Sequence, residues 1–275
     1  MLFRSGKTSS YNTIQKYTTP LYSIFGPKSA IGCSISHISV WQSFLQTDKQ
    51  YAIIFEDDII FDTTNFKSKI SFYLSNTPKN FDILYLGCFG SDPNYPFFNQ
   101  IMNLLNKSNE LSKVNKHINK PSVALGLHSY ILSRSGAQKL VNLLHGKIYN
   151  HIDFCIQSLS KQKLISTFVT NPRLVYQTST DNTPSHNSSN SYPILFNNIL
   201  SHFYVDKFVK SSYITTVSLF RLLNHNITLS QLITFSVCYF LYSTNESIYF
   251  IITFIIIISL PDFSKVSKLY LQNHM

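Results

Sequence analysis

The chain has 275 residues, 44% of them hydrophobic and 15% aromatic, which is enough apolar material for a packed core and too much for a disordered polymer. The formal charge is +10 at pH 7, although only 13% of residues are charged; a basic excess favours an anionic partner such as a nucleotide-sugar or a membrane surface. The lysines are scattered and form no stripe interleaved with aromatics, so no nucleic-acid partner is expected.

Four cysteines (Cys33, Cys88, Cys155, Cys238) lie far apart with no Cys-x-x-Cys pair, which argues against a zinc site or a dense disulfide framework. Apolar neighbours make Cys33, Cys88 and Cys155 buried free thiols, pointing to a reducing compartment. No secretory signal is expected, because Met1-Leu2-Phe3-Arg4 leads straight into polar residues.

Residues 1–27 are polar, lack periodicity and read as a loop or arm. Ser29–Leu45 places Ile31, Ile35, Ile38, Trp41, Phe44 and Leu45 at helical spacing, which predicts an amphipathic helix with Ser34, His37 and Gln42 off its apolar stripe. Tyr51–Phe55 is an apolar, β-prone run, expected as a strand buried on both faces. Three carboxylates follow, Glu56, Asp57 and Asp58, before Ile59-Ile60-Phe61 resumes the apolar pattern. Acids crowded between hydrophobic runs repel one another and resist desolvation, and a cation at the carboxyl end of a strand relieves both. Oxygen-only ligands favour Mg²⁺ or Mn²⁺ over Zn²⁺. The same tripeptide also fits a solvated turn or a helix start, where negative charge is favoured.

Further along, a helix is predicted over Asn65–Leu74 and a second buried strand over Phe81–Gly87, where Gly87 lets a ligand approach the backbone. Ser91–Lys120, rich in Asn, Pro and Lys, reads as a long surface loop. Val123–Leu132 is a third strand, followed by a helix over Ala137–Leu144 capped by Ser133 or Ser135. Asp153 opens a helix over Phe154–Leu159, Ile165–Tyr176 is strand-like, and Thr178–Tyr192 is a loop. The C-terminal part then turns apolar, with runs at Ile227–Tyr242 and Ile248–Leu260. The second run is short of the ~20 residues a spanning helix needs, so the pair fits either a membrane hairpin or segments packed on the core. The expected division is a catalytic domain over 1–200 and an apolar appendage over 201–275, with a cytoplasmic location or membrane association through that appendage.

Five blocks then carry a resemblance to glycosyltransferase family 25, which includes bacterial lipooligosaccharide galactosyltransferases and collagen galactosyltransferase domains. Ile31-Gly-Cys-Ser-Ile-Ser-His-Ile-Ser-Val-Trp41 and Tyr51-Ala-Ile-Ile-Phe-Glu-Asp-Asp-Ile59 are similar to the first two. Phe81-Asp-Ile-Leu-Tyr-Leu-Gly87, Gly126-Leu-His-Ser-Tyr-Ile-Leu-Ser-Arg-Ser-Gly-Ala137 and His151-Ile-Asp153 are similar to the next three, in the same order. The resemblance covers Ser29 to about Gln177 and implies an α/β, GT-A-like fold, a Rossmann-like mixed sheet flanked by helices. Its N-terminal donor-binding half is expected to be shortened, because residues 1–30 alone precede the first block and none reads as a strand.

The resemblance further implies a nucleotide-sugar donor, often UDP-galactose, a Mn²⁺ (or Mg²⁺) cofactor, and inverting transfer of a hexose to a glycan or protein hydroxyl. Carried over, Glu56 and Asp58 take the metal position with Asp57 in support, and the metal offsets charge on the leaving UDP. Asp153 becomes the catalytic base or the orienter of the acceptor hydroxyl, or else a helix cap. Ser36, His37, Asp57, Gly87 and His128 line the donor side, with His37 equally suited to a buried hydrogen bond. Tyr130 is a core residue near the site, and His186 is either a third metal ligand or a solvated histidine. The alternative function is a catalytically degenerate glycosyltransferase-like binding or scaffold protein. The shortened N-terminus favours it, the retained Glu56, Asp57, Asp58 and Asp153 oppose it, and metal-dependent nucleotide binding separates the two.

Overall fold

The structure, a computed structural model, describes residues 11–61, 64–90, 112–177, 204–206, 209–210, 217–222 and 225–243. The chain divides into two compact units, Met1–Thr183 with Val205–Val209, and Pro184–Tyr204 with Lys210–Met275.

The first unit opens on three helices, α1 (Tyr11–Tyr17), α2 (Pro20–Phe25) and α3 (Lys28–Leu45). The expected arm is thus corrected over its described part: residues 11–25 are largely helical. Elements this short show no readable period, and burial of Ile14, Tyr17 and Tyr22 supplies what propensity does not. Pro20 fixes the first turn of α2, and the Thr19 hydroxyl accepts from the Tyr22 N–H at 3.4 Å. Helix α3 forms as predicted but lies deeper than its stripe implies. Ile38 and Trp41 are fully buried, and Ser34 and His37 are buried with them.

Six strands form one mixed sheet in the order β1 (Tyr51–Phe55), β6 (Leu125–Ser133), β3 (Ile83–Phe89), β7 (Thr167–Thr170), β5 (Ile118–Lys120) and β4 (Ser112–Lys113). Strands β3 and β7 run parallel, and the other neighbours antiparallel. Period-two alternation divides the side chains between two layers. Ile54, Ile83, Tyr85, Tyr130 and Leu132 pack under Ile38 and Trp41 of α3, Leu140 of α5 (Arg134–Leu144) and Ile156 of α6 (Ile152–Lys161). Leu84, Leu86, Ile131 and Phe168 face the other way, against Ile70 and Tyr73 of α4 (Phe66–Asn76) and Val175. A separate two-stranded ladder joins β2 (Ile59–Phe61) to β8 (Val175–Gln177). This is the mixed α/β, GT-A-like architecture, with helices on both faces of the sheet.

Two strand expectations are corrected. Strand β1 is an antiparallel edge strand, not a strand buried on both faces: Ile54 points into the core, while Tyr51, Ile53 and Phe55 stay exposed. The expected loop over Ser91–Lys120 contributes β4 and β5 at the opposite edge, and its residues 91–111 lie outside the described ones. The β3–α5 junction is fixed by Asp82, fully buried, whose Oδ2 accepts from Lys139 Nζ and from the Ser166 N–H, both at 2.8 Å. Removing one partner of such a pair strands a charge in a low-dielectric interior.

In the C-terminal part, β9 (Tyr204–Asp206) pairs with β10 (Val209–Lys210), and β11 (Ser218–Leu222) with β12 (His225–Thr228). Helix α7 (Leu229–Ser243) follows, started by a reciprocal cap: the Thr228 hydroxyl accepts from Gln231 N, and Gln231 Oε1 accepts from Thr228 N. Membrane association through the C-terminal apolar segment is overturned on this evidence. The Ile227–Tyr242 run begins in a strand, and α7 has 15 residues, about 22 Å against the ~30 Å of a bilayer core. Among the described residues no helix is long and apolar enough to cross a membrane. Ile248–Leu260, the loop Thr178–Tyr192 and His186 lie outside the described residues.

Candidate active site

The β1–β6 register sets Ile54 opposite Tyr130, and this long-range pairing brings the Tyr130 ring beneath α3. Trp41 Nε1 donates to Tyr130 Oη at 2.8 Å, and His37 Nδ1 lies 3.0 Å from the same oxygen. His37 Nε2 in turn lies 3.2 Å from Glu56 Oε1. A neutral imidazole protonated at Nε2 satisfies every group: Trp41 donates to Tyr130, Tyr130 to His37 Nδ1, and His37 Nε2–H to Glu56. The Glu56 backbone is itself anchored, its N–H donating to the His128 carbonyl at 3.0 Å. The row of hydrogen bonds ends on the carboxylate at the carboxyl end of β1.

Cys33 lies one helical turn before His37. Its Sγ, a ring nitrogen of His37 and a carboxylate oxygen of Glu56 all fall within 4.8 Å of one another. Burial, then the Glu56, Asp153 and Asp58 carboxylates, push its thiol well above the ordinary range, so all three acids lie within electrostatic reach of one sulfur. The Tyr22 hydroxyl is buried nearby without a hydrogen-bond partner among the described residues. Burial raises its pKa, and Cys155, Asp153 and Cys33 add to the rise.

Asp58 sits just before β2, where the Ile59–Gln177 register aims Gln177 Nε2 at its Oδ2, 2.6 Å away. Burial, then the Glu56 charge, push the Asp58 carboxyl up to about 6; Gln177 opposes the rise and Asp57 adds to it. Asp57 itself is exposed. Asp153 occupies the first turn of α6, where its Oδ1 accepts from the Phe154 N–H at 2.8 Å and its Oδ2 from the Gly126 N–H at 3.1 Å. It therefore starts a helix and ties that helix to β6, and a carboxylate oxygen retains lone pairs beyond these two bonds.

The remaining predicted residues stand apart from this cluster. The Ser36 hydroxyl donates back to the Gly32 carbonyl of its own helix at 2.9 Å. His128 is fully buried, against Phe89, with neither ring nitrogen hydrogen-bonded among the described residues. Burial, then the Arg173 charge, lower its pKa to about 3. Gly87 makes room for it: a Cβ there would stand 2.1 Å from the Val175 carbonyl oxygen and 2.6 Å from His128 Nε2. The residues that sequence reasoning missed are Cys33, Trp41 and Gln177. For Cys33 a signal existed, its i, i+4 spacing to His37 on one helix face.

The donor set fits a hard divalent cation. Glu56 and Asp58 offer oxygen ligands, and burial with the Glu56 charge pushes the Asp58 carboxyl up to about 6, a cost that a bound cation would lower. No curated protein matches the chain. The family model described as "Glycosyltransferase family 25 (LPS biosynthesis protein)" matches residues 6–156, the span that holds α3, β1, β3, β6, Glu56, Asp58 and Asp153. Sheet, motif order and that match agree: this chain belongs to glycosyltransferase family 25, and it is a glycosyltransferase.

Proposed function

We propose that this chain transfers a hexose, galactose in first place, from a nucleotide-sugar such as UDP-galactose to a hydroxyl of a glycan or protein. What supports the reading is a pair of partly buried acids, Glu56 held by His37 and Asp58 held by Gln177, where burial and their mutual repulsion push the Asp58 carboxyl up, an arrangement that packing alone does not reward. Glu56 and Asp58 would hold Mn²⁺ or Mg²⁺, with Asp57 adding negative potential from the surface. Such a cation supplies Lewis-acid stabilisation of the leaving diphosphate.

The protein's own contribution is orientation and proton handling. His37, held by Tyr130, fixes the Glu56 carboxylate, and Gln177 fixes that of Asp58; such supporting contacts carry a large share of a site's affinity. Asp153 orients the acceptor hydroxyl and takes its proton through a lone pair not used by Gly126 or Phe154. Ser36, Gly87 and His128 shape the floor beneath the donor by packing.

The test is calorimetric titration with UDP and UDP-galactose, with and without Mn²⁺, on the protein and on Asp58→Ala. Metal-dependent binding in the protein that Asp58→Ala weakens by about 100-fold, the upper range for loss of a metal-site contact, is the expected result. Metal-dependent binding unchanged in the variant removes the site assignment. Absence of nucleotide binding under any condition transfers the reading to a catalytically degenerate binding or scaffold protein.

A further inference from the structure

We propose that Cys33 Sγ, His37 Nε2 and Glu56 form a binding site for a thiophilic divalent cation of the zinc class, distinct in ligand set from the pair Glu56 and Asp58. The three ligand atoms lie within 4.8 Å of one another, and the nitrogen–oxygen edge is already 3.2 Å. Ligands at zinc bond lengths of about 2.0–2.3 Å stand roughly 3.3–3.8 Å apart across a tetrahedral edge. From 4.8 Å an edge would have to close by about 1 Å to reach that range, a shift that side-chain rotation at Cys33 and Glu56 would have to supply.

Three further features favour the capture. A thiolate and a carboxylate together cancel the charge of a dipositive ion, so a half-buried pocket gains no net charge. Asp58 and Asp153 add attraction from beyond the ligand shell. His37 Nδ1 lies 3.0 Å from Tyr130 Oη; in the tautomer protonated at Nδ1 it would donate to that oxygen, the contact that orients the opposite ring nitrogen towards a metal. Binding releases one proton, from the Cys33 thiol to solvent, while the His37 proton moves from Nε2 to Nδ1; the hydrogen bond to Tyr130 then reverses, with Nδ1–H donating to Oη and the Tyr130 O–H turning away from the ring. A fourth position is left to water. Cysteine spacing gives no hint of the site because two ligands share one helical turn and the third arrives from a strand end.

The site rests on the reading above only in sharing Glu56, and a soft cation there withdraws that carboxylate from the hard one. The experiment titrates Co²⁺, then Zn²⁺, into the full, metal-free, reduced chain and follows absorbance. The expected result is a near-ultraviolet thiolate-to-cobalt band with visible bands of tetrahedral intensity, abolished by stoichiometric Zn²⁺. Cys33→Ser should eliminate the near-ultraviolet band and His37→Gln weaken Co²⁺ affinity at least 10-fold, while Asp58→Ala leaves the band in place even where Mn²⁺-dependent UDP binding is lost. In the unsubstituted protein, Zn²⁺ should slow alkylation of Cys33, mapped by mass spectrometry, at least 10-fold, which keeps the test decisive if a variant fails to fold. A missing band, a band that survives Cys33→Ser, or Cys33 alkylation indifferent to Zn²⁺ overturns the proposal.

Discussion

Tyr130 shows how much of the site depends on a single hydroxyl. It serves Trp41 and His37 together, so Tyr130→Phe leaves two buried polar groups without a partner. A loss of about 1–3 kcal/mol in urea-monitored stability is expected, together with roughly 10-fold weaker Mn²⁺ affinity as Glu56 loses its support. Unchanged values for both would remove the hydrogen-bonded row as a positioning device. Asp153→Asn tests a different role: turnover should fall about 10²–10⁴-fold, the span of general base catalysis, with donor binding retained. Normal turnover in that variant would make Asp153 a helix-starting residue and nothing more. The carboxylates were legible in the sequence because acids between apolar runs violate the ordinary pattern. Tyr130 could be placed near the site, but its hydrogen-bond partners could not be read, because they are set by the pairing of β1 with β6, residues far apart in the chain.

At the scale of elements, the close approach of α5 to β3 depends on Gly136. A Cβ there would meet the Asp82 carbonyl oxygen at 2.5 Å and its Cα at 2.8 Å, backbone atoms that cannot rotate away. Gly136→Ala should therefore cost about 1–3 kcal/mol, the usual range for overpacking, measured as a lowered denaturation midpoint. A midpoint equal to that of the unsubstituted protein would mean that the helix slides at no cost. Elements with long periodic runs, α3 above all, could be read from sequence within a residue or two. The start of α5 follows local chemistry in the same way, with the Ser133 hydroxyl accepting from the Gly136 N–H at 3.0 Å. The short helices α1 and α2 could not be read, since burial supplied by the rest of the domain makes them. Strand β1 was misjudged in environment and not in type: composition shows that a segment is apolar, whereas its place at the sheet edge is decided by topology.

A fully buried histidine and a half-buried aspartate have opposed acid responses. His128 takes a proton near pH 6.5 when unfolded but only at about 3 when folded, so the unfolded chain binds the extra proton between those values and stability falls as pH drops through that window. Asp58 runs the other way: its folded carboxyl protonates near 6, above its ordinary 3.8, so stability gains across that interval while cation affinity is lost. Chemical denaturation at pH 7 and pH 4.5 should show that His128→Gln loses less stability on acidification than the unsubstituted chain. Equal losses would locate the acid response elsewhere. The family match over residues 6–156 falls wholly within the first unit. The chain has a single tryptophan, and it is Trp41, whose indole N–H ends the row that begins at Glu56. Tryptophan-selective emission from this protein therefore comes from one indole, joined to Glu56 through Tyr130 and His37.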